Sequence, residues 1–154
     1  MCILKEKMEA LLDSAKDASL LFVRLILAYG FYEPMMSKWA DIDSVAQWFG
    51  ESLGLPFPLL NAYMAASTEA LGVVLLVLGL GVRMISLPLM IVMVVAITTV
   101  HLNNGFAAGE NGFEIPLYYM LMLFVLATHG GGKYGLDRFF SAKNCQTQCE
   151  KSAA

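Results

Sequence analysis

NAYMAASTEALGVVLLVLGLGVR, residues 61–83, decides how this chain is read. It is an apolar run with one carboxylate, Glu69, well inside it. A charged group at that depth in a bilayer is costly unless it is paired or kept neutral. The residues that alternate at three and four spacing are Ala62, Ala65, Glu69, Gly72, Leu76 and Gly79. Small side chains on such a seam let membrane helices approach closely, so Glu69 is expected to face neighbouring helices rather than lipid. Close packing alone accounts for Gly72 and Gly79.

The rest of the chain supports a membrane setting. Of its 154 residues only 15% are charged, against about 25% in a soluble domain. The mean hydropathy is +0.63. Apolar segments run over about 18–36, 59–80, 84–102 and 112–129. Each is near the ~20 residues needed to cross ~30 Å of hydrocarbon, the last two at the short end. The fold class expected is all-α, a bundle of four transmembrane helices. Residues 1–17 read as an amphipathic N-terminal segment, 18–140 as the membrane domain and 141–154 as a flexible cytoplasmic tail.

Orientation follows from Lys and Arg. Lys5, Lys7 and Lys16 precede segment one, Arg83 lies between two and three, and Lys133, Arg138, Lys143 and Lys151 follow segment four. The first outer loop carries only Lys38, and the loop between three and four carries neither Lys nor Arg. Both termini are therefore expected in the cytoplasm. The start, MCILKEKMEALLDSAKD, lacks a short apolar core followed by a small-residue cleavage site, so segment one itself would direct insertion. Cys2, Cys145 and Cys149 all fall on the reduced, cytoplasmic side, where no structural disulfide is expected. No basic stripe with interleaved aromatics marks a nucleic-acid surface. Gly130-Gly131-Gly132 lacks the flanking strand and helix of a phosphate loop.

Local signals refine the elements. Pro34 should kink the outer end of segment one. In the first outer loop, 37–58, Asp43 would cap a short amphipathic helix running to Ser52, with Val45, Trp48 and Phe49 on its apolar face. Pro88 is expected in the first turn of segment three, where proline is tolerated. Thr98 and His101 would share a face one turn apart.

Ordering the ionisable groups by depth puts Glu33, Lys38, His101 and Glu114 near the outer face, Glu69 near the middle, and Arg24, Arg83, His129 and Asp137 near the inner face. Glu69 has three routes to compensation: up to Lys38 or His101, down to Arg24, or neutrality through burial. Arg24 is long enough to reach the inner boundary by itself. Three uses of these groups compete. They can pair to fix helix register. Glu69, His101 and Glu114 can line an outward-opening polar cavity for a quinone headgroup, a thiol or a proton. His101 with Glu33 and Glu114 can ligate a divalent metal, although no paired-histidine spacing or cysteine accompanies them. Cys145 and Cys149, four apart, suit a thiol relay or a Cu(I) clamp.

Taken together, Arg24, Lys38, Glu69-Ala-Leu-Gly72, Gly79-Leu-Gly-Val-Arg83, Gly112-Phe-Glu114 and Gly130 through Gly135-Leu-Asp137 resemble the DoxX family of small four-helix bacterial membrane proteins, over about residues 20–140. Tyr29-Gly-Phe-Tyr-Glu-Pro34, Lys38-Trp39 and Pro116-Leu-Tyr-Tyr119 look like the branch found beside genes for copper-binding, post-translationally modified peptides. The resemblance implies a bacterial inner-membrane protein acting with protein partners or as a homo-oligomer. Its function would be that of an accessory subunit in a redox or copper-peptide maturation and export system. Family members also include a subunit of a thiosulfate:quinone oxidoreductase, components of thiol and oxidant defence, and distant cargo receptors. Quinone or copper would be the associated cofactor.

Overall fold

The computed structural model describes residues 2–137, and the cysteine pair at 145 and 149 lies outside them. All regular structure among the described residues is helical. Five α-helices follow in order: α1 (Cys2–Ala40), α2 (Ile42–Glu51), α3 (Pro58–Leu78), α4 (Val82–Ala96) and α5 (Glu114–His129). α1 packs against α3, α4 against both α3 and α5, and α2 lies on α3.

Three stretches are long and apolar enough to cross a membrane, namely Ala15–Ala40, Pro58–Leu78 and Val82–Asn104. The fourth apolar helix, Glu114–His129, has 16 residues. At ~1.5 Å per residue it covers about 24 Å, less than the ~30 Å of hydrocarbon. Large apolar side chains point outward along every one of these helices, among them Phe22, Leu71, Val74, Leu87, Ile91, Leu121 and Phe124. A bundle with that coat needs lipid around it.

Each inward stripe follows helical spacing. On α1 it is Leu20, Arg24, Leu27 and Phe31, with Lys38 two turns further on. On α3 it is Ala62, Ala66, Glu69, Gly72 and Leu76, so Ala66 takes the buried place expected for Ala65. A Cβ on Gly72 would lie 2.8 Å from Leu89 Cδ1, which is why α4 can come so close here. Leu123 and Leu126 of α5 complete the dry core with Leu76, Val82 and Leu89.

Several local expectations are corrected. α1 continues through Pro34 to Ala40, so Lys38 belongs to its last turn and not to a loop. Only residue 41 separates α1 from α2, so the cap falls on Asp41 rather than Asp43: its carboxylate accepts from the Ser44 N–H at 3.1 Å. α2 ends at Glu51. α4 begins at Val82, which puts Pro88 in the helix interior instead of the first turn. Beyond Ala96 the helix widens into a π turn over Ile97–His101, so Thr98 and His101 lose the α-helical stacking assumed for them. Thr98 Oγ1 instead donates back to the Val94 carbonyl.

Candidate functional site

The strongest polar feature inside the bundle joins α1 to α3. Lys38 Nζ donates to both carboxylate oxygens of Glu69, each at 2.8 Å. The Glu69 side chain is 2% exposed and that of Lys38 20%. The acid is thus sealed, while its cation is partly exposed at the end of α1. Register explains how they meet. Trp39 stacks edge-on against Tyr63 and donates Nε1–H to the Ala66 carbonyl, so the end of α1 stands level with the second turn of α3. Lys38 then reaches down about one turn to the carboxylate. Of the routes open to Glu69, the structure takes the one to Lys38.

A second polar assembly ties off the opposite end of the bundle, at the α3–α4 turn. Arg24 is 1% exposed, and its Nη1 donates to the Gly131 carbonyl at 2.7 Å. Its Nε has no hydrogen-bond partner among the described residues. Three glycines make room for it. A Cβ on Gly79 would collide with the Arg24 guanidinium and sit 2.6 Å from Gly135 Cα, and Gly131 also lies against the Arg24 head. Gly79 adopts φ +69, a left-handed conformation that suits glycine at a helix C-terminus. Asp137 accepts from the Gly81 N–H at 2.8 Å and so caps the start of α4. Asp17 and Lys133 close the same end with an ion pair at 2.9 Å. This assembly anchors the segment after α5 to α1 and to the α3–α4 turn.

The remaining expected site residues are dispersed. His101 Nδ1 is 2.8 Å from the Asn111 carbonyl, which fixes Nδ1 as the protonated nitrogen. Glu114 accepts from the Ala108 N–H at 3.0 Å and from the Tyr118 hydroxyl at 3.0 Å, folding the loop before α5 onto that helix. Glu33 is exposed on the outer surface of α1, with no hydrogen-bond or ion-pair partner among the described residues. Among the described residues no three His, Cys, Asp or Glu side chains gather as a metal site would require. The trio His101, Glu33 and Glu114 therefore does not converge. The six groups expected as one intramembrane cluster occupy separate places: Lys38 with Glu69, Arg24 at the opposite end of the bundle, His101 and Glu114 on either side of the loop before α5, Glu33 on the surface. Sequence reading missed the fit of Arg24 among Gly79, Gly131 and Gly135; the glycines around Asp137 were its visible trace.

Fold and hydropathy define a small, all-helical integral membrane protein. Its sequence matches the DoxX family model over residues 19–102, and the chain belongs to the DoxX family. It is 34% identical over 126 residues to a Haemophilus influenzae (strain Rd) protein named only "Uncharacterized protein", covering 77% of this chain and 81% of that one. It is 30% identical over 128 residues to a Bacillus subtilis (strain 168) protein named "Putative oxidoreductase CatD", covering 83% and 91%. A second Haemophilus influenzae protein, also named "Uncharacterized protein", is 28% identical over 135 residues, covering 86% and 98%. No solved structure gives a significant match.

Proposed function

We propose that this chain is a four-crossing membrane subunit, with both termini in the cytoplasm, that serves a redox or copper-peptide maturation and export system in the bacterial inner membrane. The observation that carries the reading is the Lys38–Glu69 pair. A buried carboxylate held by a cation that stays reachable from the outer side can exchange a proton, or release its cation to an anionic partner group. A plain membrane anchor has no use for that arrangement, since buried ion pairs add little net stability over apolar packing. The relative named as an oxidoreductase supports the redox side of the reading. The Lys and Arg asymmetry supports the orientation.

The test is purification in mild detergent from the native membrane. The chain alone is expected to reduce no quinone analogue and to carry no flavin or haem absorbance. The complex that co-purifies should show redox activity, and Glu69→Leu should lower that activity. Quinone reduction by the isolated chain would instead favour the second reading, an enzyme subunit passing electrons from a thiol or thiosulfate to quinone. That reading draws on the same named relative.

A further inference from the structure

Glu33 is the charge that the fold leaves unexplained. The Asp17–Lys133 ion pair lies at one end of the candidate span Ala15–Ala40, and Trp39, a residue type favoured at membrane interfaces, lies at the other. Their 22-residue separation on α1 corresponds to about 33 Å of rise, close to the hydrocarbon thickness of ~30 Å. Glu33 lies six residues below Trp39, about 9 Å inside that end. A glutamate is too short to reach the interface from there as Lys or Arg would.

Carboxylates at such depth normally face the bundle interior and pair with one another or with bases. Glu33 does neither. It shares the outward face of α1 with Leu25, Tyr29 and Met36, at helical spacing. Tyr29 is 81% exposed, and its hydroxyl also lacks a partner among the described residues. With Leu25, Ala28, Tyr32, Val73 and Val77 it lines a shallow groove of about 260 Å³ between α1 and α3. The face is thus apolar in body, with a hydroxyl and a carboxylate exposed on it.

We propose that this face of α1 docks a transmembrane helix of another protein, one that carries a Lys or Arg in its outer third to meet Glu33. Charge complementarity sets the choice of occupant. A second copy of this chain is poorly equipped for the role: between Arg24 and Arg83 its only Lys or Arg is Lys38, which is spent on Glu69. The proposal rests on the reading that the chain works with membrane partners, and it specifies the surface they use.

The test uses the full chain in phosphatidylcholine bicelles and two synthetic Leu-rich transmembrane helices, one with a single Lys in its outer third and one without. Association is read by fluorescence energy transfer. The Lys helix is expected to bind about tenfold more tightly than the plain one. Glu33→Gln should abolish that preference without changing thermal unfolding, and Glu33→Lys should transfer it to a helix bearing Glu. Equal affinity of the wild type for both helices would overturn the proposal, as would a preference that survives Glu33→Gln. So would dimerisation of the chain through Glu33, or loss of the preference once phosphatidylethanolamine is added, which would assign Glu33 to a second copy or to a lipid ammonium. The readout needs no electron transfer. Failure here therefore leaves the redox reading to its own assay, and failure there leaves this surface standing.

Discussion

Removing Lys38 should cost more than removing Glu69, although the two form one ion pair. Lys38→Met strands a carboxylate that is 2% exposed, with no other cation bonded to it among the described residues. Breaking a buried pair from that side costs about 3 kcal/mol or more. Glu69→Leu strands an ammonium that is 20% exposed and sits in the last turn of α1. That side chain can swing to the nearby end of the bundle, and Leu fills part of the vacated volume, so about 1 kcal/mol is expected. The double variant, Lys38→Met with Glu69→Leu, should cost only about 1 kcal/mol, recovering most of the loss of Lys38→Met and giving a coupling of about 3 kcal/mol. The assay is reversible unfolding in mixed micelles, with all four proteins measured under one condition. Equal costs for the two single changes, adding without coupling in the double, would refute the claim that the pair is sealed on one side.

The glycine contacts make a graded prediction on the same assay. Gly72→Ala meets only the flexible end of Leu89 and should cost about 1 kcal/mol, whereas Gly79→Ala meets the Gly135 backbone at a positive φ and should cost about 2–3 kcal/mol. Asp41 should confer a pH dependence on α2: the Ser44 hydroxyl and N–H hold its carboxyl below the ordinary carboxylate range. The cap is therefore complete above that range and fades as pH falls through the lowered value. Circular dichroism should show helix lost at low pH in the wild type, and a weaker pH response in Asp41→Asn. Elemental analysis of the wild type and of His101→Ala should give equal copper and zinc contents, because among the described residues no set of three ligand-type side chains gathers around His101. A lower metal content in the variant would reinstate His101 as a ligand.

The helical class, the approximate spans and the inward aim of Glu69 were legible because each is a one-dimensional pattern. Run length gives the crossings, and small residues at three and four spacing give the seam. Depth was not legible: Ala66 stands level with Trp39, so Glu69 lies about a turn from that end of the bundle and not near its middle. What depth cannot supply is direction around each helix axis. Glu33, His101 and Glu114 share a layer, yet the π turn at 97–101 and the fold of the loop before α5 send them to different places. The end of α1 was also set too early. A proline inside a helix removes one backbone bond, but here α1 stays helical on both sides of it, and that carried Lys38 into the bundle. The inner assembly was hidden because its signal is spread over Arg24, Gly79, Gly131, Gly135 and Asp137, which are remote in sequence and meet only once the bundle has closed.

A lysine and a glutamate touch inside a wall of helices. Solid-state NMR on the protein in bilayers, labelled at lysine Nζ and glutamate Cδ, measures that contact through their dipolar coupling. With both carboxylate oxygens 2.8 Å from the ammonium, a strong Lys38–Glu69 coupling is predicted, and it should vanish in Glu69→Gln labelled the same way. A spectrum of the wild type with no such coupling, and with Glu69 in contact with lipid acyl protons, would contradict that contact.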